Sequence, residues 1–267
     1  MTVAPHALEV TIPRRDRDTQ RGDRPEPADR PDRGARRAER ASQRGVHVLH
    51  ISKTGGTTVR TMFKTAGITT TGDGRPIVLN HHQTTMPDVL GQDEGNEVTF
   101  FLRHPVPRFV SGFNSRLRQG APSHDRPWRP EEKVVFDQFG SANELAEALS
   151  STSLRLQDRA ISAMRALNHT RWRTTDWLIS PEYLEPRLDR VRFVGFQETF
   201  AEDVAALLVS LGVTKTLPLQ HEHQAPTSSP TELSESAQSN LTDWYARDLA
   251  LYEWALERRG RWHAGAA

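Results

Sequence analysis

The stretch Val46-His-Val-Leu-His50-Ile-Ser-Lys53-Thr-Gly-Gly56-Thr-Thr58 decides how the rest of the chain is read. Val46, Val48, Leu49 and Ile51 form a short apolar run that reads as a buried strand, bounded by the loop Lys53-Thr54-Gly55-Gly56. Thr57 and Thr58 then lead into Val59 to Lys64, the expected start of a helix. Two adjacent glycines let the backbone turn sharply and expose successive amides. A helix N-terminus immediately after them adds a dipole that favours an anion. Lys53 contributes a mobile positive charge, and Thr57 and Thr58 contribute hydroxyl donors. Strand, loop and helix together are the chemistry of a phosphate cradle. They are not the nucleotide-triphosphatase pattern, because Lys53 precedes the glycines instead of following them. No Asp stands at a strand end where it could hold magnesium through water. An ordinary Gly-Gly turn is the plainer alternative.

Downstream, Pro76 to Leu79 reads as a second strand ending at Asn80-His81-His82, and Val98 to Leu102 as a third ending at Arg103. Pro105 suits the first turn of a helix running through Ser111 to about Leu117. Arg103 therefore sits at the carboxyl end of a strand, where open α/β sheets place their ligands. Its fork suits a phosphate bidentately, Ser111 can add a hydroxyl donor, and Arg108 braces the turn. Taken alone, Arg103 could equally be a salt-bridge partner near a helix.

Ser141-Ala-Asn-Glu144 matches a capping box opening Leu145 to Leu149, and a further helix is expected over Leu154 to Leu167. Residues 191–194 read as a fourth strand. Thr199-Phe-Ala-Glu202 reads as a second capping box, starting a helix that Gly212 ends, and one last helix is expected from about Ser234 to Arg259. Strands alternating with helices imply parallel pairing. The fold class is therefore α/β, a P-loop-like three-layer arrangement with a central, mostly parallel sheet flanked by helices.

The two anion motifs resemble those of the sulfotransferases that use 3′-phosphoadenosine 5′-phosphosulfate (PAPS), most of all the carbohydrate branch of heparan and chondroitin uronyl enzymes and their bacterial relatives. That family's 5′-phosphosulfate loop reads H-I-P-K-T-G-G-T-T or -S, and its 3′-phosphate motif reads R-D-P-x-x-R-x-x-S. The chain matches both in order, departing at Ser52 and His104, neither of which should donate to a ligand. Arg192-Phe-Val-Gly195-Phe-Gln-Glu198-Thr-Phe and Tyr245-Ala-Arg-Asp248-Leu-Ala-Leu-Tyr252 also resemble the family, so the likeness spans about residues 45–256.

The resemblance implies that Lys53, Thr54, Gly55, Gly56, Thr57, Thr58, Arg103 and Ser111 bind PAPS, with Lys53 at the leaving oxygen. Its catalytic His lies after the second strand, a place taken here by His81 and His82, and the match favours His82. A neutral imidazole near pH 7 can accept the proton of the attacking hydroxyl. The acceptor implied is a hydroxyl of a carbohydrate or carbohydrate-bearing molecule, bound by loops 119–142 and 214–230. His221 and His223 stand in a late loop where relatives carry an Asn, with Gln224 beside them. A four-histidine zinc site lacks the H-E-x-x-H spacing, so no metal is expected. A P-loop kinase and a non-catalytic anion-binding protein are the competing readings.

Composition agrees with one folded domain and a leader. Hydrophobic residues are 36% and charged residues 26% of the 267, but the first 44 residues carry 11 Arg against 8 acidic residues and almost no aliphatic side chains. Residues 1–44 are expected to be disordered, with the transferase domain over 45–267. The remainder, with 24 basic and 26 acidic residues, is close to neutral, which disfavours a nucleic-acid-binding domain. There is no cysteine, so disulfides and thiolate chemistry are excluded. The longest apolar run, Val204 to Val213, falls well short of the roughly 20 residues of a membrane span. No anchor or signal core is visible, which points to the cytoplasm. Arg makes up 31 of the 35 basic residues, the bias of a GC-rich bacterial coding background.

Overall fold

The structure, a computed structural model, describes residues 44–122, 125–214 and 231–263. The expected leader (but for Arg44), the His221–Gln224 cluster and most of the loop 214–230 lie outside the described residues.

Four parallel strands form the sheet: β1 (Val46–Val48), β2 (Ile77–Leu79), β3 (Glu97–Leu102) and β4 (Val191–Phe196), in the order β2-β1-β3-β4. Each strand is brief and almost wholly apolar, the pattern of a sheet covered on both faces. Between β1 and β2 comes α1 (Gly56–Thr65), and between β2 and β3 comes α2 (Met86–Gln92), whose Thr85 and Asp88 close a reciprocal capping box. After β3, α3 (Pro105–Leu117) starts on Pro105 as expected.

A helical excursion follows: α4 (Pro130–Phe136), α5 (Ala142–Glu147), α6 (Leu154–Ala166), α7 (Thr174–Leu178) and α8 (Pro181–Leu184). Beyond β4 come α9 (Phe200–Ser210), α10 (Glu235–Trp244), α11 (Ala246–Glu257) and α12 (Arg259–His263). None of the helices among the described residues is long and apolar enough to cross a membrane.

Two apolar clusters divide the interior. One surrounds the sheet, with Phe63, Phe100, Phe193, Phe196 and Leu207 fully buried; the other joins α3 to α5, α6 and α10 through Phe109, Phe113, Leu145, Met164 and Leu241. The polar groups that enter this second region are paired. Arg116 grips the buried Glu132 carboxylate at 2.9 and 2.7 Å, and the amides of Arg129 and Asn168 also donate to it. Although burial opposes ionisation, these donors hold Glu132 down at about 2.

Three expectations need correction. The last helix is broken at Tyr245 (φ −104°, ψ 21°), whose buried hydroxyl donates to the Thr170 carbonyl at 3.1 Å, and it breaks again at Arg258. Tertiary anchoring at Tyr245 overrides a continuous helical pattern. At Thr199 no capping box forms. Its hydroxyl takes a hydrogen bond from Arg259 (2.9 Å), while Asp203 caps the Phe196 amide from inside the helix (2.6 Å). Ser141 does cap α5, but the Glu144 carboxylate reaches Gly140 instead of closing the box. Gly212 ends α9 as expected, at φ 66°, with the paired bonds of a Schellman turn.

Candidate functional site

The strand order reverses direction at β1: the chain passes outward to β2, then returns to the other side for β3. A crevice therefore opens between the carboxyl ends of β1 and β3, the place where such sheets bind ligands. All four strand ends feed this edge of the sheet. β1 supplies the loop from His50 to Gly55, β2 supplies His81 and His82, β3 supplies Arg103, and β4 supplies Gln197 and Glu198.

The loop after β1 is built for close approach. Lys53 and Gly55 both have positive φ (66° and 89°), and Gly55 stands at the N-cap of α1 with no side chain capping the first amides. No acidic residue lies in the first turn. The orphan N–H groups are thus left for an anion. A Cβ on Gly55 would lie 2.4 Å from the Phe200 ring and 2.6 Å from Gln197 Oε1; one on Gly56 would lie 2.5 Å from His50 Cδ2. The Thr54 hydroxyl donates to the Ile51 carbonyl (3.0 Å), so it tightens the turn and leaves the Thr54 amide as the part able to face a ligand. Thr57 Oγ1 is 3.4 Å from His50 Nε2, and Thr58 is buried in the first turn.

Gly55→Ala should cost about 1–3 kcal/mol through this overlap, in addition to its left-handed strain. Gly67, also at positive φ but with open space around it, is the control. Urea melts of Gly55→Ala and Gly67→Ala should place the first well below the second; equal stabilities would mean the loop can relax freely.

Lys53 is only partly exposed, and its ammonium makes no hydrogen bond or ion pair among the described residues. Burial first, then the charges of Arg103 and Arg118, hold its pKa down at about 8. Arg103, also partly buried, makes one long hydrogen bond among the described residues, 3.5 Å to the Lys53 carbonyl, with the Glu198 carboxylate near enough to favour its charge. Glu198 is itself fixed by the His104 amide (2.8 Å). Ser111 lies two turns into α3, partly buried, its hydroxyl unpartnered among the described residues. Arg108 does brace the turn. Fully buried, it donates to the Ser52 carbonyl (3.0 Å), to Ser52 Oγ (3.1 Å) and to the Trp172 carbonyl (2.8 Å). Ser52 thus serves the loop's own structure.

The two histidines after β2 are unlike each other. His82 Nδ1 lies 3.0 Å from the His50 carbonyl, and a carbonyl can only accept. Nδ1 therefore carries the proton, and in the neutral ring Nε2 is left as the acceptor. The His82 ring stacks on His50 at 3.6 Å, and its carbonyl takes the Trp177 indole N–H at 2.7 Å. Burial of this ring lowers its pKa, only partly opposed by the bond to His50; Arg60, Arg126 and His81 lower it further. His50, held near 3 by burial and then by His82, Arg60, His169 and His81, stays neutral beside it. Both rings after β2 keep solvent-exposed surface, but the His81 side chain has no hydrogen bond among the described residues.

Some participants carried no motif in the sequence. Trp177 reaches His82 because α7 is capped in trans by the buried Asp248, which accepts from the amides of Thr174 (2.9 Å) and Thr175 (3.1 Å). That gives the Tyr245–Tyr252 stretch a structural task. Arg118 and His169 also approach Lys53, from segments with no pattern to single them out.

An open parallel sheet whose edge combines an uncapped helix N-terminus, two poorly neutralised cations and an oriented neutral imidazole presents the groups that anion binding and group transfer require. A family model described as Sulfotransferase family matches residues 38–255, and the chain belongs to that family. Comparison with curated proteins finds no match. Membership makes sulfuryl transfer to a hydroxyl-bearing acceptor its general chemistry.

Proposed function

We propose that the protein is a PAPS-dependent sulfotransferase acting on a hydroxyl of a carbohydrate or carbohydrate-bearing acceptor. The observation that carries this reading is the crevice between β1 and β3, where, among the described residues, Lys53 and Arg103 have no counterion in contact and His82 Nε2 has no hydrogen-bond partner. The residues fit such a donor: two glycines whose Cβ atoms would clash, orphan amides for the 5′ side, and Arg103 with Ser111 for a 3′-phosphate. When bound, PAPS supplies an activated sulfuryl group on a phosphate leaving group. His82 Nε2 takes the acceptor's proton as its oxygen bonds to sulfur. Lys53 and the amides of Gly55, Gly56 and Thr57 stabilise the negative charge that grows on the departing phosphate oxygen. Arg103 and Ser111 hold the far end, so that the reacting atoms stay in line.

The carbohydrate acceptor is supported by the likeness of both motifs to the uronyl branch. Incubation with sulfur-labelled PAPS and a panel of glycan acceptors should move label to a sugar hydroxyl. In parallel, 3′,5′-diphosphoadenosine at about 100 times its Kd should stabilise the fold by about 2.7 kcal/mol without added metal. A shift that appears only with magnesium and ATP would favour a kinase; polyanion binding with steep salt dependence and no transfer would favour a binding protein.

A further inference from the structure

His169 takes no part in the steps above, yet its place is over-determined. The segment joining α6 to α7 is tied down residue by residue. The Asn168 amide donates to Glu132 (3.0 Å), the Thr170 hydroxyl donates to the Leu167 carbonyl (3.2 Å), and the Thr170 carbonyl accepts from Tyr245. The Trp172 carbonyl accepts from Arg108, the same guanidinium that grips Ser52 beside Lys53. The Trp172 ring lies 6.0 Å from Trp177, whose indole holds the His82 carbonyl. One segment is thereby pinned both to the anion loop and to the histidine loop.

At its centre His169 has φ 68°, a left-handed conformation that non-glycine residues keep only where the surroundings enforce it. Its Cβ rests on α3 at Gly112, next to Ser111, where an added Cβ would come within 3.2 Å of it. The ring makes no hydrogen bond among the described residues. Burial and then the charges of Lys53, His82, Arg116 and Arg108 keep its pKa near 3. The imidazole is therefore neutral, with one N–H to donate and no charge to add to those of Lys53 and Arg108.

We propose that His169 is a further residue of the transfer site, donating a hydrogen bond to a non-bridging oxygen of the sulfuryl group and holding it in line. The proposal rests on the sulfuryl-transfer reading above. In that transfer the acceptor oxygen bonds to sulfur and its proton passes to His82. The sulfur–oxygen bond that breaks leaves its electron pair on the phosphate beside Lys53, and His169 exchanges no proton.

The test uses the full chain with His169→Gly and His169→Asn, both of which tolerate the left-handed backbone. His169→Gly should lower kcat at least tenfold with the acceptor KM within twofold, the loss expected from misplacing the group in flight. Its thermal shift with 3′,5′-diphosphoadenosine, which lacks the sulfuryl group, should match that of the parent chain. His169→Asn, whose amide can donate, should recover part of kcat. An unchanged kcat in folded His169→Gly, a lost diphosphoadenosine shift, or no recovery by Asn overturns the proposal. Absence of both transfer and diphosphoadenosine shift in the parent chain sinks the functional reading itself.

Discussion

Replacing His82 with Ala should lower turnover by roughly 100- to 10,000-fold while leaving the affinity for 3′,5′-diphosphoadenosine nearly intact. The expectation follows from the fixed tautomer: Nδ1–H is spent on the His50 carbonyl, so Nε2 is the only atom of this ring that can take a proton. His82→Asn separates chemistry from architecture, since its amide can still donate to His50 but supplies no base. It should be nearly as slow as His82→Ala. His81→Ala, altering an exposed ring with no fixed partner, should stay active. The pH profile carries a second signature. Burial places the His82 pKa below its usual 6.5, so the base form persists and the acid limb of kcat/KM should fall below pH 6.5. A fully active His82→Ala, or an inactive His81→Ala, would move the base to the neighbouring residue.

Lys53→Ala should lower kcat by roughly 100- to 1,000-fold, the scale of losing one donor at a developing oxyanion. Because the free ammonium is held near 8, it is half discharged at that pH, whereas a bound phosphate would keep it protonated. The sign follows: ligand binding takes up a proton above pH 8, and affinity for 3′,5′-diphosphoadenosine should weaken as pH rises, by up to tenfold per unit. In Lys53→Ala that alkaline dependence should vanish. Calorimetry in buffers of differing ionisation enthalpy reads the proton uptake directly. Affinity that stays flat from pH 7 to 10 in the parent chain would remove Lys53 from the ligand.

The sequence by itself determined the sheet and its ligand edge. Four apolar runs, followed by Ser52, Asn80, Arg103 and Gln197, specify strands whose order along the chain leaves little freedom for parallel α/β packing. The Lys53–Thr58 loop and Arg103 were legible for the same reason. The roles proposed for them depend on backbone shape and charge at a strand end, which adjacent residues encode locally.

The tertiary structure alone decided the rest. The helix expected from Ser234 to Arg259 is broken because Tyr245 must reach Thr170, and the Thr199 capping box is lost because the Thr199 hydroxyl accepts from the distant Arg259 while Asp203 takes the Phe196 amide. Which of two adjacent histidines is oriented depends on the His50 carbonyl, 32 residues away. Trp177 meets His82, and the segment carrying His169 is held in place, through bonds to Arg108, Tyr245 and Asp248, none of them a sequence neighbour. Periodicity and capping report what a segment prefers by itself, whereas a side chain's tautomer, charge and direction are set by groups that only folding brings within hydrogen-bond reach.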